Sequence, residues 1–407
     1  MAKKLTYSFL LLSGIALAAI LGFPRGNIQE DSIYYRWLAE GKFNLVIQPF
    51  ASRGLEPAIV RLTDHLFHTP PDLIFYLLSI LSLTACIGGT AHLASRYPVR
   101  NNWLFVLPFL PVWTLLFHAY ILPDIFHAAL LTAFCALLAR QKYELAALLL
   151  MPLYAARESS SLIFVCFAFA AWGIVKFRVI LLALLATVAG YGAEKWLVLG
   201  TGGNRHGISQ LAYFAGKVPY NVMKNFAGFS FWSNILQVCT PTSVYTLPHW
   251  KILGAINTIG PCQWDPKLPA ITLLLWLGTF GILPVLLLTS LRRGRLKGNV
   301  FLKFCVIYGV ISFFLGPAVG SSVPRLVAYG WPAFALGLPA LEPKLFQNRR
   351  ALLVVHLLVS WVTWVVYWQI QYRNTILFAL ALSLAGWIYA YRSQKFEKNF
   401  VAYSSIT

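Results

Sequence analysis

Acidic residues are scarce in this sequence and are the first candidates for chemistry. The chain has 13 Asp and Glu residues among 407. Two of them, Glu30 and Asp31, stand side by side in the stretch GNIQEDSIYYRWLAEG, directly after the first apolar run. A carboxylate at the boundary between water and lipid is partly desolvated, which makes it a stronger proton acceptor. Asp31 and Glu30 are therefore candidate catalytic bases.

The same stretch also predicts a helix from about Ile33 to Glu40, which Gly41 would terminate. Asp31 or Ser32 would then be the N-cap, so helix capping stays open beside catalysis as the role of Asp31. Tyr35 lies on the aromatic face of this helix, a pattern typical of membrane interfaces. Tyr35 is a candidate substrate contact.

Two further acidic sites fall near the ends of later apolar runs. Asp124, in YILPDIFHAAL, is a candidate supporting acid, with a helix cap behind Pro123 as the alternative. Arg157 and Glu158 follow an apolar run, Leu145–Ala156, that spans only about 18 Å, against about 30 Å for a bilayer core. We therefore expect this pair to be recessed, to point to different sides, and to need separate partners. A purely structural ion network is the alternative to function.

Arginines on the predicted outer side need a local reason, because basic residues normally collect on the cytoplasmic side. Arg53, Arg157 and Arg325 have this placement. One reason is phosphate binding, since a guanidinium matches phosphate oxygens in a bidentate way. The alternatives are snorkelling and pairing with an outer carboxylate such as Glu56.

Composition indicates what must position these residues. The chain is 58% hydrophobic and 11% charged with mean hydropathy +0.67, which predicts an all-α polytopic membrane protein. The net charge of +20 is concentrated in short basic clusters between apolar runs, so it reflects topology and excludes a nucleic-acid partner. Motifs typical of soluble nucleotide-binding, zinc-protease and serine-hydrolase enzymes are absent from the sequence.

Hydropathy predicts about twelve transmembrane helices with both termini in the cytoplasm. Two short spans that meet at Arg157 place the dense basic clusters on the cytoplasmic side. One merged helix over 145–175 would instead move every later loop to the opposite side of the membrane. A cleaved signal peptide is an alternative for the first run. The predicted spans cover residues 5–23, 73–95, 103–122, 125–139, 145–156, 161–175, 179–200, 269–290, 300–317, 326–341, 351–370 and 375–391.

These spans divide the chain into three regions. Residues 1–200 form a transmembrane module whose first outer loop, 24–72, is the candidate catalytic loop and carries interfacial helices. Residues 201–268 form an outer loop with aromatic stretches that suit interfacial helices, and residues 269–407 form the C-terminal membrane helices. Cys239 and Cys262 share the 201–268 loop, and whether they form a disulfide stays open.

The order of these motifs resembles the GT-C superfamily of integral-membrane glycosyltransferases. EDSIYYRWLAEG followed by PFASRGLEPAIVRL is similar to the D-x-Y-x-Y…G…R-x-L-x-P run of bacterial members. LPDIFHAALL stands where their second acidic motif is expected, ARESSSLIF resembles their basic-acidic pair, and PRLVAYGWPAF resembles a late Arg…Pro segment. The resemblance implies that Asp31 is the base, Asp124 a supporting acid or metal ligand, and Arg157 or Arg325 a phosphate contact.

The expected function is transfer of a sugar from a polyprenyl-phosphate donor to a glycan, lipid or protein acceptor. The expected location is the outer face of a bacterial inner membrane, with membrane lipid around the chain and a divalent metal (Mg or Mn) as an open cofactor question. The alternatives are a polysaccharide polymerase or ligase acting on lipid-linked glycans, and a transporter in which Arg157 and Glu158 form a relay.

Overall fold

The protein is helical apart from one two-stranded sheet in the part of the chain that the structure describes. A computed structural model describes residues 14, 31–46, 50–97, 101–117, 120–197, 218–233, 259–291, 296, 299–320, 322–343, 346, 350–369 and 373–404. The chain divides into two compact units, one made of Met1–Pro108, Trp113–Gly207 and Leu296–Tyr308, the other of Phe109–Val112, Ile208–Arg295 and Gly309–Thr407.

The helices up to residue 197 begin with two in the first loop, α1 (Ser32–Ala39) and α2 (Leu55–Phe67). They continue with α3 (Pro71–Ala94), α4 (Asn101–Val106), α5 (Pro111–Phe117), α6 (Asp124–Ala139), α7 (Tyr143–Ala156), α8 (Ser160–Ala171) and α9 (Phe177–Leu197).

Close helix packing holds this first unit together. Helices α7 and α9 approach closely at Gly190, where a Cβ atom would lie 2.7 Å from the carbonyl oxygen of Met151. Only a glycine permits that approach of the two backbones. On α2, by contrast, Leu62, Leu66 and Phe67 are 60–71% exposed. An exposed apolar strip of this kind suits a helix at a lipid boundary.

The predicted span 103–122 is interrupted, which corrects the sequence prediction of one continuous helix. A 3-10 turn, Leu107–Phe109, separates α4 from α5. Pro111 has no N–H to donate to the carbonyl oxygen of Leu107, so the helical hydrogen bond cannot form. The indole Nε1–H of Trp113 donates to that oxygen instead, at 2.7 Å.

The second unit contains the sheet and the later helices. Strands β1 (Phe229–Ser233) and β2 (Ile259–Trp264) are antiparallel. The helices that follow are α10 (Leu268–Gly278), α11 (Leu283–Leu291), α12 (Val300–Val319), α13 (Val323–Ala328), α14 (Leu338–Leu341), α15 (Arg350–Gln369) and α16 (Arg373–Ser404). Residues of α12 up to Tyr308 are grouped with the first unit.

The 201–268 loop differs from its prediction of interfacial helices at one point. The residues FSFWS form strand β1, for which β2 supplies the antiparallel backbone partner. Cys239 lies outside the described residues, so a disulfide between Cys239 and Cys262 stays an open prediction.

Apolar helices long enough to cross a bilayer are present, as expected of a membrane protein. Among the described residues α3, α9 and α12 meet the length and hydropathy requirements, and α10 with α11 adds a fourth if this pair, bent by 63°, is one span. Five shorter apolar helices of 10–17 residues accompany them. The twelve-span arrangement and the cytoplasmic termini stay predictions, and the first predicted span lies outside the described residues except for Gly14.

Candidate functional site

The first loop folds so that two distant side chains meet. Helix α1 ends before Gly41, whose φ of +74° is the left-handed conformation that a glycine adopts without strain. The ring of Tyr34 stacks on Phe50 with centroids 4.5 Å apart, which anchors the turn leading to Arg53. Tyr35 is fully buried, and its hydroxyl oxygen accepts a hydrogen bond of 2.9 Å from Arg53 Nη1.

Arg53 also joins this loop to the junction between α7 and α8. Its Nε and Nη2 groups donate to the two carboxylate oxygens of Glu158 at 3.0 and 2.8 Å, a bidentate ion pair. Both side chains are nearly buried, at 13% and 12% exposure. Bidentate pairing fixes orientation as well as charge. The partner of Arg53 is therefore Glu158, one of the acids on the predicted outer side, which agrees with the alternative that Arg53 pairs with an outer carboxylate.

The junction itself is a break in the helix, as the short apolar run predicted. Arg157 adopts an extended backbone conformation, with φ −163° and ψ 128°, between α7 and α8. Its side chain is buried and forms an ion pair with Asp124, the first residue of α6. The prediction that Arg157 and Glu158 take separate partners is confirmed, because one binds Asp124 and the other binds Arg53.

The hydroxyl group of Ser160 also connects the helices at this junction. Ser160 Oγ donates to the carbonyl oxygen of Leu153 at 2.8 Å and lies 2.8 Å from Nε2 of His127. Since the single hydroxyl hydrogen is donated to Leu153, His127 must donate through Nε2–H. The start of α8 is thereby bonded to both α7 and α6.

The charges in this network are balanced. Burial opposes the charge of Glu158, but the adjacent Arg53 and its hydrogen bonds hold the pKa of Glu158 below its ordinary value. Burial likewise disfavours a charged Arg53, yet Glu158 raises the pKa of Arg53 well above its ordinary value. Burial raises the pKa of Tyr35 to about 12, so this phenol is neutral. We refer to Tyr35, Arg53, Asp124, Arg157 and Glu158 as the ion-pair network.

Glu56 is a buried acid beside this network that sequence reasoning did not assign to the site. It is 0% exposed, and among the described residues neither carboxyl oxygen has a hydrogen-bond partner. Burial, and then the charge of Asp124, raise the pKa of Glu56 well above its ordinary value. A signal was present in the sequence, because Glu56 and the buried Val60 are four residues apart and share one face of α2.

Asp31 lies apart from the network at the start of α1. Its φ of −65° and ψ of −28° are helical, and its side chain makes no capping hydrogen bond. Asp31 therefore stands at the predicted N-cap position of α1, but its side chain does not cap the helix. The side chain is half-buried. Glu30 lies outside the described residues.

Two predictions for the site are left, the role of Arg325 and the binding of a metal ion. Arg325 lies on α13, in the second unit, so its role as a phosphate contact stays a prediction. Among the described residues no three His, Cys, Asp or Glu side chains are grouped so that they could hold a metal ion. The guanidinium of Arg157 contacts Asp124, and a cation against a carboxylate does not suit a second, divalent cation. We derive no step through a metal.

A cleft of about 690 Å³ lies between α1, α2 and the end of α9. Its volume is in the range of about 300–1,000 Å³ typical of small-ligand sites. Apolar and charged side chains share its walls, including Leu38, Phe43, Arg61, Leu62, His65 and Trp196. The Arg61 guanidinium lies 5.1 Å from the centre of the Phe43 ring, a cation–π contact. Such walls suit a ligand with both polar and apolar parts.

Comparison with known proteins gives no relative: no protein-family model matches the chain, and no curated protein matches it.

Proposed function

We propose that the protein is a GT-C-type membrane glycosyltransferase that moves a sugar from a polyprenyl-phosphate donor to an acceptor on the outer face of the membrane. The observation that carries the proposal is the ion-pair network. Three short motifs that the resemblance singled out, around residues 35–53, 124 and 157–158, contribute side chains to one buried cluster. A donor with a lipid tail and a polar head suits a site at this depth in an apolar helical protein.

In the proposed reaction the acceptor hydroxyl oxygen attacks C1 of the donor sugar. The bond between C1 and the phosphate oxygen breaks, and the phosphate leaves with the electron pair. Asp31 takes the hydroxyl proton as general base. Its side chain is half-buried and makes no capping hydrogen bond.

The network residues have a positioning role in this proposal. Arg53 and Arg157 are bound to carboxylates, so either arginine would have to exchange its partner before it could bind phosphate. Arg325 lies in the second unit, so its role as a phosphate contact stays a prediction from the sequence. Asp124 and Glu158 hold the arginines, and Tyr35 fixes the third edge of the Arg53 guanidinium.

The test compares two isosteric substitutions. Asp31→Asn retains size but cannot accept a proton, so we expect turnover of a polyprenyl-phosphate sugar to fall by about 10²–10⁴-fold. Glu30→Gln is the matched control, because neighbouring residues at a helix entry point in different directions, and we expect at most a small loss. Both variants are compared at equal amounts in the membrane.

Full activity of Asp31→Asn would contradict the assignment of the base. Full activity of both variants would contradict a carboxylate-assisted transfer at this loop.

A further inference from the structure

Glu56 has a chemical environment that its neighbours do not share. It lies in the first turn of α2, fully buried, and neither carboxyl oxygen has a hydrogen-bond partner among the described residues. Leaving a buried polar group unsatisfied destabilises the fold, and a charged group does so more strongly. An apolar side chain at this position would avoid that penalty, so the buried carboxyl group calls for a functional explanation.

The adjacent charges leave Glu56 without a counter-ion. Asp124 is bound to Arg157, and Glu158 is bound in a bidentate way to Arg53. Each of these carboxylates thus has its own guanidinium, and the two ion pairs together are neutral. An ionised Glu56 would add one uncompensated negative charge beside Asp124.

A buried carboxyl group in such a place gives up its charge rather than remain ionised, because isolated buried ions are strongly disfavoured. If α1 and α2 move away from Asp124, Arg157 and Glu158, the Glu56 carboxyl group reaches water. There it would ionise near the ordinary pKa of about 4.3. The docked and undocked arrangements of the first loop therefore differ by one proton.

We propose that Glu56 is a proton-binding site that couples docking of α1 and α2 onto Asp124, Arg157 and Glu158 to the uptake of one proton. On docking, the carboxylate takes a proton from water and becomes a neutral acid. On undocking it returns that proton to water. The proposal does not depend on the proposed glycosyl transfer.

The sign of the pH effect follows from this difference. The docked form holds one more proton than the undocked form. Docking is therefore most favourable below the pKa that Glu56 has when it is exposed, and it weakens as pH rises towards the higher pKa that Glu56 has when it is buried. The undocking constant should rise by up to about tenfold per pH unit in that interval. Asp124 is the charged group that acts on Glu56. Asp124 in turn interacts with Tyr35, Arg53, His127 and Arg157. Glu194, beside Lys195 on α9, interacts with Glu158.

Hydrogen exchange of the full-length protein in lipid nanodiscs tests the proposal. Exchange is followed by mass spectrometry at about pH 6 and about pH 8, corrected for intrinsic exchange chemistry, in peptides covering α1 and α2. In the natural protein we expect the opening constant of these helices to increase by up to about 100-fold over this interval. A peptide from α3 serves as the internal reference and should not change.

Two neutral variants separate Glu56 from its titratable neighbours. Glu56→Gln keeps the shape of the protonated acid, and Glu56→Leu removes the unsatisfied polar atoms. We expect both to abolish the pH dependence of α1 and α2 exchange. The same pH dependence in the natural protein and in a folded variant would overturn the proposal, since it would belong to another group. A flat response in the natural protein would overturn it without any variant.

Discussion

Arg53 donates N–H groups to two partners from different parts of the chain, Glu158 and the hydroxyl of Tyr35. Burial makes each of these hydrogen bonds consequential, because a guanidinium N–H without an acceptor is costly away from water. The ring of a phenylalanine could take the place of the Tyr35 ring. The contribution that is specific to tyrosine is therefore the hydrogen bond of its hydroxyl group.

Replacing Tyr35 with Phe removes the acceptor and keeps the ring. We expect Tyr35→Phe to lower the free energy of unfolding by about 1.5–3 kcal/mol, the range for hydrogen bonds to charged groups. Tyr34→Phe is the matched control, since Tyr34 contributes its ring to the stack on Phe50 and only partly buries its side chain. Denaturant unfolding in detergent measures both. Equal effects of the two substitutions would show that the hydroxyl of Tyr35 is unimportant.

At the scale of elements, the break between α7 and α8 is what presents Arg157 and Glu158 to opposite partners. In a continuous helix neighbouring side chains are rotated by about 100° about one common axis. The extended conformation at Arg157 instead separates them, and Ser160 bonds the new helix start to Leu153 and His127.

Ser160→Ala should therefore loosen the junction. We expect a loss of about 1–3 kcal/mol in unfolding free energy, because the carbonyl of Leu153 loses a donor and His127 loses an acceptor in a buried place. Ser161→Ala is the control, because Ser161 is exposed and its hydroxyl bonds only to the nearby carbonyl of Glu158 at 3.2 Å. Thermal unfolding of the two variants gives the comparison. No difference between them would contradict a structural role for the Ser160 hydroxyl.

The elements were easier to predict from the sequence than their contacts. Helix α1 and its end at Gly41 follow from local signals, and the break at Arg157 follows from the short apolar run before it. The pairing of Arg53 with Glu158 joins residues 105 positions apart, so no local pattern indicates it. Burial of Glu56 was hidden for another reason: an acid in the first turn of a helix is usually explained by the helix dipole alone.

At the scale of the whole molecule, the side of the membrane that holds the first loop is a prediction from the distribution of basic residues. Single cysteines at Asn27 and Asn204 should react with a membrane-impermeant thiol reagent in intact cells, whereas one at Gly294 should react only after lysis. The four cysteines in the described apolar helices are buried. Cys239 and Cys262 of the predicted outer loop are replaced by serine in every variant, so that they add no labelling. Labelling of Gly294→Cys in intact cells would reverse the topology and with it the outward-facing site.

The most direct test of the proposed function is mass spectrometry of the lipid that co-purifies with the protein and with its Asp31→Asn variant. We expect a polyprenyl phosphate in both preparations. In the Asp31→Asn preparation the lipid should still carry the sugar, because transfer is blocked. In the natural protein purified from its native membrane, most of the lipid should have lost the sugar. Absence of any isoprenoid phosphate from both preparations, or the same sugar-bearing fraction in both, would contradict glycosyl transfer with Asp31 as the base.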